Sequence, residues 1–464
     1  MLSQQVKDYL QANRQRHLEE LLPLLRIASV SSQPACQPAC RQCAELLAGQ
    51  LGQLGFDAQL RPWRDHPLVL ARRAADRQGA PTVLLYGHYD VQPPEPLELW
   101  QSPPFEPVVR EGKIFTRGAS DDKGQLFAML KAVEALQACD RPLPNLIVLL
   151  EGEEEIGSPD LERFLTGARR ELAADYAIIC DSAFFAPGLP SLTYGLRGLV
   201  YVEIAMRGPA ADLHSGTHGG AAPNPLNAMV ALLAALQDAQ GRVTLPGFYD
   251  AVVPLTLQER QAWRKLPFDP QAYAALLGTQ PTGGERGVDL LERRWARPTL
   301  DFHGIVGGYQ GPGAKTVIPA AVSAKVSCRL VANQQAGQVV KSFRQFVAAH
   351  TPPGIRSEIQ VLSESLPVLV PLDSPAMAAA AGALYEAFGR KAVFVREGAS
   401  VPISELFQRI LGIQPVLMGF GLPDDNLHSP NEKLELEQYY GGIVAVAAVL
   451  SNLAGKDSLA GKRG

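Results

Sequence analysis

The chain has 464 residues, of which 46% are hydrophobic and 19% are charged, a composition typical of a soluble globular protein with two or more domains. A formal net charge of −4 excludes a general electrostatic attraction to nucleic acid or to an anionic membrane. No apolar run reaches the roughly 18 residues of a membrane span, and the charged segment 1–30 lacks the apolar stretch of a signal peptide, so the expected location is the cytoplasm.

Helical patterns and apolar runs alternate over residues 1–198. Helical periodicity covers residues 1–30 and 35–54. Beyond them come, in order, an apolar run PTVLLYGH (81–88), a helix GQLFAMLKAVEALQAC (124–139), an apolar run PNLIVLLEGEEE (144–155), a helix SPDLERFLTGARRELA (158–173) and an apolar run DYAIICDSA (175–183). Continuously apolar strands that alternate with helices indicate a parallel sheet covered on both faces.

The pattern changes at residue 199 and returns to the first style at residue 366. Residues 199–365 predict the order strand, helix, strand, strand, helix, strand, which is that of a ferredoxin-like unit, with a mostly helical insertion at 246–298. A helix at 374–388, strands at 391–397 and 415–421 and a last helix after Leu434 follow. We therefore expect one α/β domain from 1–198 and 366–464, and an inserted α+β domain from 199–365.

Polar residues follow the apolar strands of the first domain. His88 and Asp90 end the first strand, and the other candidates are Asp121, Asp122, Glu153, Glu154, Glu155, Asp181 and His428. Ligands of open α/β sheets bind at the carboxyl ends of the strands. So many carboxylates at one sheet edge would repel one another unless cations neutralise them. Two imidazoles with several carboxylates suit zinc, with manganese or cobalt as alternatives.

Other common catalytic signals are missing from the sequence. There is no H-E-x-x-H, no G-x-S-x-G and no phosphate-binding glycine loop. Single-zinc, serine and nucleotide chemistries therefore lack their sequence signatures.

Seven motifs, in this order, resemble those of the dinuclear metallopeptidases: GHYDVQP, GASDDKGQ, EGEEEIGS, CDS, DLHSG, REGASVPIS and NLHSPNE. That family includes carnosinase, cytosolic non-specific dipeptidase, carboxypeptidase G, acetylornithine deacetylase and succinyl-diaminopimelate desuccinylase. The segments YGLRG, DLHSG and REGAS look most like the dipeptidase branch. The resemblance covers nearly the whole chain. It implies an α/β metallopeptidase domain with a largely parallel central sheet and an inserted ferredoxin-like lid.

The resemblance implies a pair of divalent metal ions in each subunit. Their ligands would be His88, Asp121, Glu155, Asp181 and His428, with Asp121 as the bridge. Asp90 would orient the His88 imidazole, and the family has a cis peptide between the aspartates at 121 and 122. Alignment of EEEIGS on its Gly-Ser makes Glu155 a ligand and Glu154 the general base. A shift of one residue along the three glutamates would exchange these two roles.

The resemblance also implies roles for the lid. His214 would stabilise the oxyanion, Arg329 would bind the terminal carboxylate of the substrate, and Gly398 and Ser400 would line the same pocket. In dimeric family members the neighbouring subunit supplies the lid histidine, so we expect a homodimer joined through the lid. The alternative for His214 is a local turn histidine that caps the following helix.

The predicted function is a metallo-dipeptidase that cleaves dipeptides or short peptides with a free C-terminal carboxylate. No histidine lies between His350 and His428, where mammalian-type dipeptidases carry one that contacts the substrate, which argues against a carnosinase-like preference. The enzymatic alternative is an N-acyl-amino-acid deacylase of the acetylornithine deacetylase or succinyl-diaminopimelate desuccinylase type. A metal-dependent peptide-binding protein is a third interpretation, but a pure binder would need no general base such as Glu154.

Overall fold

The structure, a computed structural model, describes residues 1–399 and 401–455, and its chain divides into two units. Unit 1 comprises Met1–Tyr194, Val370–Val395 and the residues from 402 onward, and unit 2 comprises Gly195–Leu369 together with Arg396–Val401. The expected segments, 1–198, 199–365 and 366–464, differ from these units by short stretches at the crossovers and in the place of residues 396–401.

The helices of the described residues begin and end as follows: α1 Gln4–Ala12, α2 Arg14–Leu25, α3 Gln37–Gln53, α4 Lys123–Ala138, α5 Leu161–Gly167, α6 Ser215–His218, α7 Pro225–Ala235, α8 Leu257–Arg264, α9 Pro270–Leu277, α10 Leu290–Trp295, α11 Ala336–His350, α12 Pro375–Phe388, α13 Pro402–Leu406 and α14 Leu436–Ala454. The single helical pattern predicted over residues 1–30 is two helices. They separate at Asn13, whose side-chain amide donates a hydrogen bond to the carbonyl of Tyr9 and competes with the helical backbone.

The strands are β1 Asp57–Arg61, β2 Leu68–Arg73, β3 Thr82–His88, β4 Val108–Arg110, β5 Lys113–Phe115, β6 Asn145–Glu151, β7 Tyr176–Ile179, β8 Ser191–Leu196, β9 Gly198–Arg207, β10 Leu213–His214, β11 Thr299–Gly307, β12 Val317–Ile318, β13 Ala321–Leu330, β14 Arg356–Ser365, β15 Val368–Leu369, β16 Val393–Glu397, β17 Pro415–Leu417 and β18 Lys433–Glu435. The apolar runs predicted as strands correspond to β3, β6 and β7.

The central sheet of unit 1 is mixed. Its strands follow the order β1-β2-β6-β3-β7-β17-β8. The four strands from β6 to β17 run parallel, whereas β2 and β8 run antiparallel to the strands beside them. The expected largely parallel sheet is therefore only its central part. The sequence analysis missed β1, β2 and β8, which carry charged or polar residues where the parallel strands are apolar.

Helix α4 forms the layer that covers the parallel strands. Most of its residues are buried, and it packs on β3 on one side and beneath α14 on the other. Helix α14 also packs against α12. A helix buried on all sides is apolar all round, which agrees with the run Leu126 to Leu130. This packing fixes the start of α4, directly after Asp121 and Asp122, against the carboxyl end of β3.

Several helix ends carry the residues that favour them. The side chain of Asn224 accepts a hydrogen bond from the backbone N–H of Leu226 at the start of α7, and Ser374 does the same for Met377 at the start of α12. Helix α12 ends at Gly389, whose φ of 70° is the left-handed conformation that glycine adopts without strain. These local signals explain why the bounds predicted for α12, 374–388, agree with the structure.

Unit 2 contains a four-stranded antiparallel sheet in the order β11-β13-β9-β14. Helices α7 and α11 pack on this sheet. With the four strands numbered along the chain, the spatial order is 2-3-1-4, which is that of the ferredoxin-like unit predicted from the sequence. Between α7 and β11, helices α8, α9 and α10 form the predicted helical insertion. No helix of residues 1–399 and 401–455 is long and apolar enough to cross a membrane.

Candidate active site

The carboxyl end of β3 presents a buried imidazole. The Nδ1 atom of His88 lies 3.1 Å from the backbone oxygen of Asp90 and 3.4 Å from its Oδ1 atom. A carbonyl oxygen can only accept a hydrogen bond, so Nδ1 carries a proton and the lone pair of a neutral imidazole lies on Nε2. Asp90 therefore orients the His88 ring, as the resemblance implies, through its backbone as well as through its carboxylate.

Two clusters of potential metal ligands meet at Asp121. In the first, His88 Nε2 lies 3.1 Å from Asp121 Oδ1 and 3.7 Å from Asp181 Oδ2. In the second, His428 Nε2 lies 3.0 Å from Asp121 Oδ2 and 3.3 Å from Glu155 Oε2. The ligand atoms of each cluster lie within 4.8 Å of one another. Asp121 offers a different oxygen to each cluster, which is the arrangement of a bridging carboxylate.

The residues of these clusters fit divalent cations. His88 is fully buried, and its Nε2 atom makes no well-aligned hydrogen bond although Asp121 Oδ1 lies 3.1 Å away. A cation between these two atoms would satisfy both. Each cluster combines one imidazole with two carboxylates, a ligand set suited to zinc, manganese or cobalt. The peptide bond between Asp121 and Asp122 is cis, as in the family that the motifs resemble.

The electrostatic field in the clusters favours positive charge. Burial, and then the charge of Asp121, raise the pKa of Asp181 to about 7. Hydrogen bonds from the imidazole to Asp121 and Glu155 raise the pKa of His428 to about 10. Both pKa values are raised, as expected where several carboxylates lie close together and few positive charges balance them. Divalent ions at these positions would supply the positive charge that the imidazolium of His428 otherwise provides.

Glu154 lies beside the clusters and belongs to neither. The backbone N–H groups of Glu154 and Glu155 donate to the carboxylate of Asp90, at 3.3 and 3.1 Å. Asp90 therefore positions the turn that carries these glutamates, in addition to the ring of His88. Burial raises the pKa of Glu154, and the carboxylates of Asp181 and Glu151 add to the rise. A carboxyl group whose pKa is raised is suited to carrying a proton. The structure thus brings Glu155, not Glu154, together with Asp121 and His428.

Gln92 is a site residue that the sequence analysis missed. Its Nε2 atom donates to Glu155 Oε2 at 2.8 Å and lies 3.2 Å from the backbone oxygen of Glu155. Gln92 thereby fixes the orientation of a candidate ligand. It lies inside the motif GHYDVQP, two residues after Asp90, and its position in that motif was the signal that could have drawn attention to it.

The remaining predicted residues belong to unit 2. His214 is exposed, and its Nδ1 atom accepts a hydrogen bond from the backbone N–H of Gly216, 3.0 Å away, so it caps the short helix α6. Arg329 lies on β13, and burial lowers its pKa. The carbonyl of Gly398 accepts a hydrogen bond from Arg197 Nε at 3.0 Å. Ser400 lies outside the described residues.

Arg197 is the second residue that the sequence analysis missed. A Cβ atom at Gly398 would lie 2.8 Å from a terminal nitrogen of Arg197 and 3.0 Å from the backbone oxygen of Arg294, so a larger residue here would displace the Arg197 guanidinium. Burial and the nearby charge of Arg329 lower the pKa of Arg197 to about 10. The charge of Arg329 reaches Arg197, and two neighbouring guanidinium groups favour the binding of an anion. The motif YGLRG contains this arginine.

Comparisons with known proteins give a consistent picture. The family described as Peptidase family M20/M25/M40 matches residues 84–452. The Cys-Gly metallodipeptidase DUG1 of Candida albicans is 34% identical over 472 residues, which cover 96% of this chain and 96% of that protein. The human Beta-Ala-His dipeptidase is 34% identical over 394 residues, which cover 84% of this chain and 78% of that protein. The solved structure of the dipeptidase Dug1p from Saccharomyces cerevisiae superposes with a TM-score of 0.81 at 30% identity, over 97% of this chain and 98% of that chain.

Proposed function

The chain belongs to peptidase family M20/M25/M40, and from this premise we propose that it is a metallo-dipeptidase that hydrolyses dipeptides or short peptides with a free C-terminal carboxylate. One observation carries the proposal: two candidate ligand clusters share Asp121, and the carboxylate of Glu154, which belongs to neither, lies close enough to Asp181 and Asp121 for their charges to raise its pKa. That arrangement provides both a metal centre and a proton acceptor. A protein that only bound peptides would need no proton acceptor.

Divalent metal binding follows from the family, and we propose two zinc ions for each subunit, with manganese or cobalt as alternatives. One would be held by His88, Asp121 and Asp181, and the other by Asp121, Glu155 and His428. When bound, such ions supply the Lewis acidity that activates a water molecule toward an amide carbonyl. Asp90 and Gln92 keep two of these ligands in position.

Proton transfer and stabilisation of the oxyanion would be provided by side chains of the protein. The carboxylate of Glu154 would take a proton from the attacking water and deliver it to the nitrogen of the departing amine. Its raised pKa makes the second transfer easier, because the protonated form persists closer to neutral pH. In unit 2, the Nε2 atom of His214 would donate to the developing oxyanion, since its Nδ1 atom already accepts from Gly216.

Recognition of the substrate carboxylate is assigned to unit 2. Arg329 would bind the terminal carboxylate with its guanidinium, with Gly398 and Ser400 in the same pocket. The second arginine, Arg197, supports this proposal because it adds positive charge at the same place. A free α-carboxylate is what distinguishes a dipeptide from its C-terminal amide, so this pocket would set the substrate class.

We also propose a homodimer joined through unit 2. Among the described strands, β11 has a neighbour on one side only, and it exposes Phe302, Ile305 and Val306. A long edge strand with exposed apolar side chains is a surface that proteins usually cover. A second copy of the chain, aligned along β11, would cover it.

An activity assay separates the proposed function from its alternative. A panel of dipeptides, including Cys-Gly and β-Ala-His, is compared with N-acetylated amino acids after the protein has been loaded with Zn²⁺ or Mn²⁺. We expect hydrolysis of dipeptides and little release of acetate. Turnover confined to the N-acetyl substrates would favour the deacylase, and the Glu154→Gln variant, purified identically, controls for contaminating peptidases.

A further inference from the structure

The buried carboxylate of Glu432 accepts hydrogen bonds from the backbone that leads to Asp121, the proposed bridging ligand. Glu432 is fully buried and its two oxygens accept four hydrogen bonds. Oε2 accepts from Arg117 Nη1 at 2.8 Å and from the N–H of Gly118 at 3.0 Å. Oε1 accepts from the N–H of Ser120 at 2.9 Å and from that of Asp121 at 3.1 Å. A carboxylate with this many donors is held rigidly, and so is the segment that provides them.

Glu432 belongs to the loop 418–432 between β17 and β18. A second buried carboxylate of this loop, that of Asp425, contacts the same segment before Asp121. Asp425 Oδ2 accepts from the Ser120 hydroxyl at 2.7 Å and from the N–H of Leu422 at 2.8 Å. Its other oxygen accepts from Lys433 Nζ at 2.6 Å. The loop is therefore anchored at both ends, by Asp425 and by Glu432, to the few residues that precede Asp121.

The candidate ligand His428 lies between these two anchors. Its φ is 58°, and Asn426 and Asn431 also have positive φ values of 56° and 63°. Left-handed backbone is unfavourable for residues other than glycine, so a loop that contains three of them needs support from its surroundings. More than half of the His428 side chain is exposed, so packing around the ring does not provide that support. The buried contacts of Asp425 and Glu432 do.

We propose that Glu432 is a positioning residue for the metal held by Asp121, Glu155 and His428. It fixes the backbone of the bridging ligand and the loop of the histidine to one another, so that both ligands are placed before a metal binds. The inference rests on the proposed function only in taking these three residues as ligands. Asp425 assists at the other end of the loop.

The effect of Glu432 should be selective for one of the two metal sites. His88 ends β3, and Asp181 follows β7, so both are placed by the central sheet. His428 has no such strand and depends on the loop. Both sites share Asp121, whose backbone N–H contacts Glu432, so loss of Glu432 reaches both. The site that contains His428 should weaken more, because only that site also depends on the loop.

The test is a metal titration of the metal-free full chain by calorimetry, with Zn²⁺ and with Co²⁺. Glu432→Gln replaces one of the two carboxylate oxygens by an NH2 group, which cannot accept a hydrogen bond. Two of the four hydrogen bonds are therefore lost, with little change of side-chain volume. The matched control is Glu435→Gln, because Glu435 lies on the adjacent strand β18, is partly exposed and pairs with Lys113 at 3.6 Å. Titrations of His428→Ala and Asp181→Asn assign each equivalent of metal to its cluster.

We expect Glu432→Gln to weaken the equivalent assigned to His428 by about 10–100-fold, while the other equivalent changes by less than about threefold. Activity of Glu432→Gln should recover as the metal concentration rises, and Glu435→Gln should match the unmodified protein. The inference is overturned if both equivalents bind as in the unmodified protein. It is also overturned if both weaken equally while the unfolding temperature of the metal-free protein falls, since that describes a purely structural ion pair.

Glu432→Asp guards against a variant that does not fold. It keeps the charge but is one methylene shorter, so it cannot reach both pairs of donors, and we expect weakening of the same equivalent, smaller than in Glu432→Gln. No selective weakening in Glu432→Asp would overturn the inference. Because the titration uses metal alone, a protein that binds two equivalents but hydrolyses no dipeptide would contradict the proposed function and leave this inference standing.

Discussion

Single residues in this site serve more than one partner. Asp90 is fully buried, and its carboxylate meets the His88 ring on one side and the N–H groups of Glu154 and Glu155 on the other. One side chain therefore relates a ligand of the first cluster to the turn that carries a ligand of the second. Because the same carboxylate contacts the His88 ring and both backbone N–H groups, the position of the glutamate turn is coupled to that of His88.

The first prediction concerns the different roles proposed for Glu154, the proton acceptor, and Glu155, a metal ligand. Glu154→Gln removes the proton acceptor but leaves every ligand in place, so we expect two bound metal equivalents and a kcat reduced by about 10²–10⁴-fold. Glu155→Gln should instead lose metal, since Glu155 contacts His428. Metal content by mass spectrometry and steady-state kinetics provide the comparison. Loss of an equivalent in Glu154→Gln, with both retained in Glu155→Gln, would exchange the two assignments.

Arg329 gives a prediction that depends on the substrate. In Arg329→Ala we expect kcat/KM for dipeptides to fall by about 10–100-fold, mainly through KM, because a charged hydrogen bond to the carboxylate is lost. The same substitution should change hydrolysis of the C-terminal amides little. Lys325→Ala, an exposed position on the same strand, serves as the control. Equal losses on acids and amides would remove Arg329 from this role.

At the scale of helices and strands, the sequence predicts what depends on local patterns. The apolar runs predict β3, β6 and β7, and the polar residues after them identify the correct sheet edge. Caps such as Ser374 define helix bounds. The antiparallel strands beside the parallel ones were missed. In β1, for example, polar and apolar residues alternate over only five positions, and this pattern is too short to indicate a strand.

The same limit applies to the site. His88, Asp121 and His428 were candidates because their residue types are those of metal ligands, and the family resemblance implied their roles. Glu432 ends the motif NLHSPNE, but a glutamate beside an asparagine does not show that it will be buried against the segment before Asp121. Such roles depend on long-range contacts, which appear only in three dimensions.

Close packing between elements gives the third prediction, on two helical glycines. A Cβ atom at Gly442 of α14 would lie 2.4 Å from the ring of Phe420, whereas one at Gly382 of α12 would meet nothing within 4 Å. Gly442→Ala should destabilise the protein by about 1–3 kcal/mol through overpacking, although alanine favours helix. Gly382→Ala should stabilise it by about 0.5–1 kcal/mol. Chemical denaturation measures both, and a stabilising effect at both positions would contradict the close packing of α14.

At the scale of the whole molecule, the proposed groups are distributed over two units. The proposed metal ligands and Glu154 belong to unit 1, whereas His214 and Arg329 belong to unit 2. His214 also serves a local purpose, since its Nδ1 atom caps α6. This cap does not compete with the proposed role, because the opposite ring nitrogen, Nε2, would donate to the oxyanion. The capped ring is instead held in one orientation.

The last prediction is that His214 acts in the active site of the neighbouring subunit of a homodimer. Glu154→Gln and His214→Ala are each expected to be nearly inactive alone, because the first lacks the proton acceptor and the second lacks the oxyanion donor. A mixed dimer would contain one site with an intact Glu154 from one subunit and an intact His214 from the other. Mixing the two variants under conditions of subunit exchange should therefore restore up to half of the activity of an unmodified dimer. Native mass spectrometry counts the mixed dimers, and mixed dimers without activity would place His214 in its own subunit's site or outside catalysis.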